Sequence, residues 1–487
     1  MRRQAILVTT ALLAAGGLGN GCLFKLDCTE DDTCRAGTGG SSSSGTMTST
    51  GGTGGSPDGC DPSKTSHPVA DGCGVFVSPL GDDMGKGTKD KPLKTLTAAL
   101  ARSATIYACA GAAPYTEAVT FDKGVTLYGA LDCAHGWAYD AKKKTVLTAK
   151  ADAIPLTLTS AASGAEVVDF KIIAADATAS GGSSIAVVAD HAMVTLTRCD
   201  LLAGDAKDGD AGVSGGMPAM QAAPGLNGKD AGITGSSSGG AGGDNITCNL
   251  LGGNGGNGGP APSGNGGDGT PGDTGNGGAK GTGDTGPGCS NGTNGSKATS
   301  GKPGTNGGNG TSGGGGGGSQ ATASAHGAGG GGGGAGGCGG MLGTGGKAAG
   351  SSIALMSISA TVTMAHCTLG TGKGGKGGAG GDGQFGQGGG DAGPGGKLGG
   401  GAVPGCSGGA GGTGGNGGNG SGGLGGHSLG IAAMGTAPVL DAATKTAITP
   451  GAKGAGGLGG NMDADMNHGA DGSAAACWDF GANAACK

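Results

Sequence analysis

Ser183-Ser184-Ile185-Ala186 through Val194-Thr195-Leu196-Thr197-Arg198-Cys199 returns as Ser351-Ser352-Ile353-Ala354 through Val362-Thr363-Met364-Ala365-His366-Cys367, with the same distance from isoleucine to cysteine in both copies. A weaker third copy runs from Ser428-Leu429-Gly430-Ile431 to about Thr449, and an earlier one is Ala165-Glu166-Val167-Val168-Asp169-Phe170-Lys171-Ile172. Where nothing is inserted, the unit is a little under thirty residues long. Copies of one strand-turn-strand unit predict an all-β fold in which the units stack as a solenoid.

Working outward, the 487 residues include 128 glycines and only twelve aromatics. Eight of the aromatics (Phe76, Tyr107, Tyr115, Phe121, Tyr128, Trp137, Tyr139 and Phe170) fall in one stretch, which must hold the packed body. Val75-Phe76-Val77 reads as a strand. Pro92 then stands where a first helical residue belongs, and Leu93, Leu96, Ala99 and Leu100 share one face of a three-turn helix. Short β-rich runs follow, Thr105 to Ala108, Ala118 to Phe121, Val125 to Tyr128, Thr145 to Leu147 and Leu156 to Leu158, with turn residues between them. The stretch from Val75 to Gly129 resembles the start of right-handed parallel β-helix proteins of the pectin-lyase-like class, over roughly a quarter of the chain. That resemblance implies that the helix caps the open end of the coil, where strand edges would otherwise be exposed.

Glycine-rich sequence occupies residues 204–350, 370–427 and 451–472. Each block follows the repeat at the same point, so all three read as insertions from one corner of consecutive rungs. Their starts should lie within about 5 Å of one another, the strand spacing of a sheet. Composition argues for disorder, because a chain nearly half glycine loses much backbone entropy on folding and has little to bury. Against that, runs such as GGNGGNGG suit a three-residue turn and resemble the polyglycine-II bundles and PGRS-type sequences of bacterial surface proteins. Both readings stand at this point. The run from Gly266 to Gly281 is too short and too poor in proline for collagen.

The chain opens Met1-Arg2-Arg3-Gln4, followed by eleven uncharged residues from Ala5 to Ala15 and Gly-Gly-Leu-Gly-Asn-Gly-Cys ending at Cys22. A basic end before a short apolar run predicts a secretory signal over residues 1–21. Spanning a bilayer needs ~20 apolar residues, so the run is too short for an anchor. Its end resembles a bacterial lipobox, although Leu18 stands one place further from the cysteine than in the usual pattern. The resemblance implies lipidation of Cys22, and Leu23 after it implies the outer membrane. Signal-peptidase cleavage with Cys22 in a disulfide is the alternative. Residues 22–58 form a cysteine-containing tether whose Gly/Ser/Thr run behaves as flexible coil. The remaining boundaries are a capping segment with the first rungs at 59–203, rungs at 351–369 and 428–450, and a glycine-rich, cysteine-containing segment at 451–487.

Fifteen cysteines leave fourteen once Cys22 is set aside, and an exported chain is expected to form disulfides. Proximity suggests Cys28 with Cys34, Cys60 with Cys73, Cys109 with Cys133, and Cys477 with Cys486. Cys199 and Cys367 share one repeat position and suit either a disulfide or plain packing. No Cys-x-x-Cys occurs and the seven histidines are scattered, so no metal or other cofactor is expected. Ser290, Ser312 and Ser407 lie in Gly-x-Ser-x-Gly matches, but none sits between a strand and a helix as a nucleophile elbow requires. Asp205, Asp208 and Asp210 have spacing that suits calcium. The repeat also sets Asp205 over Lys373 and Asp208 over Lys376, which predicts an ion-pair ladder or merely solvated charges.

The net charge of -6 is spread along the chain and excludes a nucleic-acid footprint. These readings point to a non-enzymatic, lipid-anchored or secreted surface protein. It would display glycine-rich loops for adhesion, matrix contact or envelope structure, with extracellular polysaccharide or other surface molecules as partners. The alternative is a polysaccharide-binding or polysaccharide-cleaving β-helix. Ice or surface binding by a flat glycine-rich face is a third reading.

Overall fold

The computed structural model describes residues 59–486, except 66, 112, 217–220, 233–236, 260–304, 307, 320–323, 398–403 and 461–466. The predicted signal and the whole of the tether, with Cys22, Cys28 and Cys34, lie outside them. The described chain is mostly β, with two five-residue helices, Leu96–Leu100 and Ala442–Thr446. Its strands form three largely parallel sheets, here A, B and C, which the chain visits in turn, and a separate two-stranded antiparallel sheet of Asp244–Asn245 and Leu250–Leu251. Ala165–Val168 belongs to sheet A, Phe170–Ile173 to B and Ser184–Asp190 to C. Met193–Thr197 then returns to A and Asp200–Ala203 to B. Within each sheet the repeat copies pair in register. Val194 faces Val362 in A, Leu201 faces Leu369 in B, and Ile185 faces Ile353, which in turn faces Leu429, in C.

The periodicity explains the core. Val167, Leu196 and Met364 from A, Ile172, Leu201 and Leu369 from B, and Val187, Leu355 and Ile431 from C are all buried in one apolar cluster. Burying a leucine-sized side chain contributes about 1.5–3 kcal/mol. Sheet C is buried on both faces, because Ile185, Val188, Ile353, Met356 and Leu429 form a second cluster with Trp478 and Phe480. That is why its strands read as nearly unbroken apolar runs. Outside sheet A, Phe76 stacks on Tyr107 and meets Trp137 edge-on, and Tyr107 stacks on Tyr128.

The predicted three-turn helix is shorter than its apolar pattern. Asp83 accepts hydrogen bonds from the backbone N–H groups of Lys94 and Thr95, at 2.8 and 2.9 Å, which holds that run extended. Leu93 consequently bridges to Val77 in sheet A instead of opening the helix. Thr95 caps the helix by accepting from Ala98 N at 3.1 Å, and Glu117 receives the N–H groups of Leu96 and Thr97. Leu96, Ala99 and Leu100 still enter the core beside Ile106 and Phe121.

Truncating a core residue should test this packing. Leu196→Ala is expected to cost about 2–5 kcal/mol of unfolding free energy, because it opens a cavity where three sheets meet. Met193→Ala, on the exposed face of the same strand, should cost under about 0.5 kcal/mol. Denaturant titration of the two variants measures the difference.

Candidate functional site

Between sheets B and C the chain makes its long excursions. Asp200–Ala203 in B is followed in C by Ser352–Ile358, Thr368–Thr371 by Ser428–Met434, and Ile448–Thr449 by Ala474–Asp479. The glycine-rich runs leaving this corner are tied together by backbone hydrogen bonds at every third residue. Ala206, Gly209, Gly212 and Gly215 donate to the carbonyls of Lys373, Lys376, Ala379 and Asp382, at 2.7–2.9 Å. The first excursion returns antiparallel to its own start, with Lys347 donating to Asp210 and Thr344 to Val213. The second closes on itself in the same way, through Gly408 to Gly393 and Gly411 to Gly390. The third joins it through Gly454 to Gly426 and Gly457 to Gly423.

Sterics account for the glycines. A Cβ on Gly212 would lie 2.1 Å from the Thr344 carbonyl oxygen, and one on Gly209 the same distance from that of Lys347. Only a residue without a side chain permits such an approach at each third position. The side chains between them tie neighbouring runs a second time. In the three Asn-Gly-Gly-Asn stretches, Asn254 and Asn257 accept from Gly242 and Gly239, Asn306 and Asn309 from Leu342 and Gly339, and Asn416 and Asn419 from Gly386 and Gly383. Each asparagine thus occupies a backbone donor of an adjacent run. Three-residue spacing was the available signal for this role, because it keeps both asparagines on one side of a period-three segment.

Asp205 and Asp208 act likewise. Their Oδ1 atoms accept from the backbone N–H of Lys373 at 2.7 Å and of Lys376 at 2.6 Å. The alignment of each aspartate with its lysine is real, but the described contact is to the main chain and not the ammonium, which corrects the ion-pair ladder. Asp210 instead pairs with Lys347 Nζ at 2.8 Å, exposed to solvent. Among the described residues no three potential ligands converge on a metal position. Ser312 is buried and accepts from Gly336 N at 3.1 Å, whereas Ser407 is exposed and Ser290 lies outside the described residues.

The turn from sheet A to sheet B carries the other polar cluster. Asp169, Arg198 and His366 occupy one repeat position in left-handed backbone, with φ of 59°, 50° and 54°. Arg198 grips buried Asp169 through Nε at 2.8 Å and Nη2 at 2.9 Å, and Tyr139 Oη donates to the same carboxylate at 2.9 Å. Pairing with Asp169 raises the Arg198 pKa against the opposing effect of burial. Beside them Lys144 binds Asp200, which also accepts from Thr368 Oγ1. The two aspartates are committed to cations, so this cluster offers no free acid and base. The repeat alignment contained the signal, since all three turn residues immediately precede Phe170, Cys199 and Cys367.

The structure brings together Cys60 with Cys73, Cys109 with Cys133, and Cys477 with Cys486, each as a disulfide. It adds Cys248–Cys338, which joins the tip of an antiparallel hairpin in the first excursion to the returning run. Cys199 and Cys367 are buried and unbridged, which corrects the disulfide expectation in favour of packing. Their thiols stack in the core, with Cys199 N donating to Cys367 Sγ at 3.3 Å and the two sulfurs donating to the Val167 and Leu196 carbonyls. Among the described residues no helix is long and apolar enough to cross a membrane.

No family model matches the chain, and no curated protein matches it. Among solved structures, the GH136 lacto-N-biosidase from Eubacterium ramulus is similar over 25% of this chain and 26% of its own, at 16% identity and a TM-score of 0.11. A rhamnogalacturonan lyase is similar over 26% of this chain and 40% of its own, at 14% identity and a TM-score of 0.11. The chain therefore spans about a quarter of the first and two fifths of the second, and likeness of this degree carries no argument about fold or chemistry.

Two measurements bear on the site. Gly212→Ala should remove hydrogen-exchange protection from residues 341–347 and 379–384, whereas Gly388→Ala, whose added Cβ meets only Gln221 Cγ at 3.7 Å, should leave it intact. Near the Cys109–Cys133 disulfide, hydrogen bonds from Lys143 and then His135 hold the Asp132 pKa at about 2, below its ordinary 3.8. A depressed carboxylate stabilises the fold above its unfolded pKa, and the benefit disappears as pH falls through the folded value. Carboxyl NMR titration should place Asp132 near that value, and Lys143→Met should raise it.

Proposed function

We propose that the chain is a right-handed parallel β-helix that presents a polyglycine-II bundle at the cell surface, acting by contact and not by catalysis. The cyclic visiting order of the three sheets, their in-register copies and their shared core support the β-helix. The three-residue hydrogen-bond period and the glycine-only approaches support polyglycine-II packing. One observation carries the functional reading: three excursions leave one corner and interlock into a single hydrogen-bonded body. A bundle of this kind is a rigid projection, and its outward positions are free to carry side chains such as the exposed Val213, Met341 and Phe385. Export through residues 1–21, attachment through lipidated Cys22 and the flexible tether would set that projection outside the outer membrane. Adhesion, matrix contact or envelope structure is the corresponding role.

Polysaccharide cleavage is the weaker reading, because it needs a pair of available carboxylates and those of the A-to-B turn are held by Arg198 and Lys144. A cell-attachment assay separates the two. Replacing residues 205–349 and 373–426 with short turns should keep the protein at the surface and abolish its contribution to attachment, and purified protein should leave acidic polysaccharides uncut. Undiminished attachment, or depolymerisation by the purified chain, would refute the proposal. Cys22→Ala should in addition move the protein from the membrane fraction to the medium or periplasm.

A further inference from the structure

The apolar interior enclosed by the three sheets ends differently at its two extremities. At the first, Leu96, Ala99 and Leu100 of the short helix are buried against the opening strands. At the last, sheets A and B stop at the two-residue strands Val439–Leu440 and Ile448–Thr449, and no described strand pairs beyond either. Sheet C alone continues, through Ala474–Asp479 and the antiparallel Ala484–Ala485, which the Cys477–Cys486 disulfide pins together. This overhang encloses one side of a cavity of about 410 Å³, whose lining includes Val439, Leu440, Ile448 and the disulfide.

Two further features define what such a cavity would hold. Its wall is more apolar than polar, has no aromatic, asparagine or glutamine side chain of the kind a sugar requires, and continues the buried core, whose preceding level is filled by Met364 and Leu369. One charged side chain, Lys445, lies on the lining, and among the described residues no carboxylate pairs with it. The volume falls within the range of about 300–1,000 Å³ typical of small-molecule sites. An apolar wall with a single cation selects a linear apolar molecule with one anionic end.

We propose that this open end of the sheets binds an unbranched aliphatic carboxylate, with its chain against Val439, Leu440 and Ile448 and its head group on Lys445 Nζ. The site is separate from the glycine-rich bundle, so it would serve ligand capture or surface association independently of the display function.

Calorimetric titration of the full chain with octanoate, decanoate and dodecanoate tests the assignment. Affinity should rise about fourfold per methylene until the cavity is filled, and then level off. Lys445→Met should weaken decanoate binding by up to about fivefold while leaving decanol unaffected. Ala476 is exposed and lines the cavity, so Ala476→Phe should fill it, preserve the melting temperature and abolish binding of both. Absence of saturable binding to the wild type, or binding that Ala476→Phe leaves unchanged, would overturn the proposal. So would a wild-type dimer that Ala476→Phe dissociates, because the cavity would then be an interface between copies of the chain.

Discussion

Register is the constraint on which everything else depends. Leu202 faces Gly370 in sheet B, and Gly370 faces Thr449, so the three excursions start from adjacent, aligned strands. The offset of 168 residues that relates Ser183 to Ser351 and Asp200 to Thr368 continues outside the sheets in Asp205 with Lys373, Asp208 with Lys376 and Ser214 with Asp382. The sheets therefore fix the phase of the glycine-rich runs. Among the described residues the offset from donor to acceptor is 167 up to Gly215 and 166 from Ala222 to Ala231, with the three-residue step kept in both.

The two halves of the molecule are held by different forces. Inside the sheets, burial of Leu, Ile, Val and Met drives association and the backbone bonds follow. In the bundle there is little apolar surface to bury, and each glycine surrenders more conformational freedom than any other residue would. What remains is dense backbone hydrogen bonding, each bond contributing about 0.5–1.5 kcal/mol net, together with close backbone packing. Such a body depends on having its ends brought together first. The sheet corner does this for all three excursions, and Cys248–Cys338 restrains the longest one further out.

The repeat was legible because like residues at a constant spacing, and the number of copies, both appear in a one-dimensional string. The fate of the glycine-rich runs was not, since composition alone fits a disordered chain and a packed bundle equally. Part of the deciding information lies in partners more than a hundred residues away, such as Gly212 with Ala379. Cys248 and Cys338 escaped for the same reason, being separated by ninety residues, whereas the three pairs found by proximity are 9 to 24 residues apart. The helix was overextended because Leu93 fits its apolar face as well as it fits a bridge to Val77. A carboxylate eleven residues before Lys94, Asp83, decides between them. The Asp169–Arg198 pair was readable only by asking what precedes each copy of the second strand.

The closed geometry of the bundle has a consequence for how such a molecule can vary. Because one position in three must be glycine and the outgoing and returning runs are phased together, a change of one or two residues in a run would set side chains against carbonyl oxygens. A change of three on each of two paired runs would preserve every contact. In the polyglycine-II geometry proposed above, three residues advance the chain by about 9 Å. Reach is then a quantised property, extended or withdrawn in whole triplets, while the residue carried at each outward position can be exchanged without altering the frame.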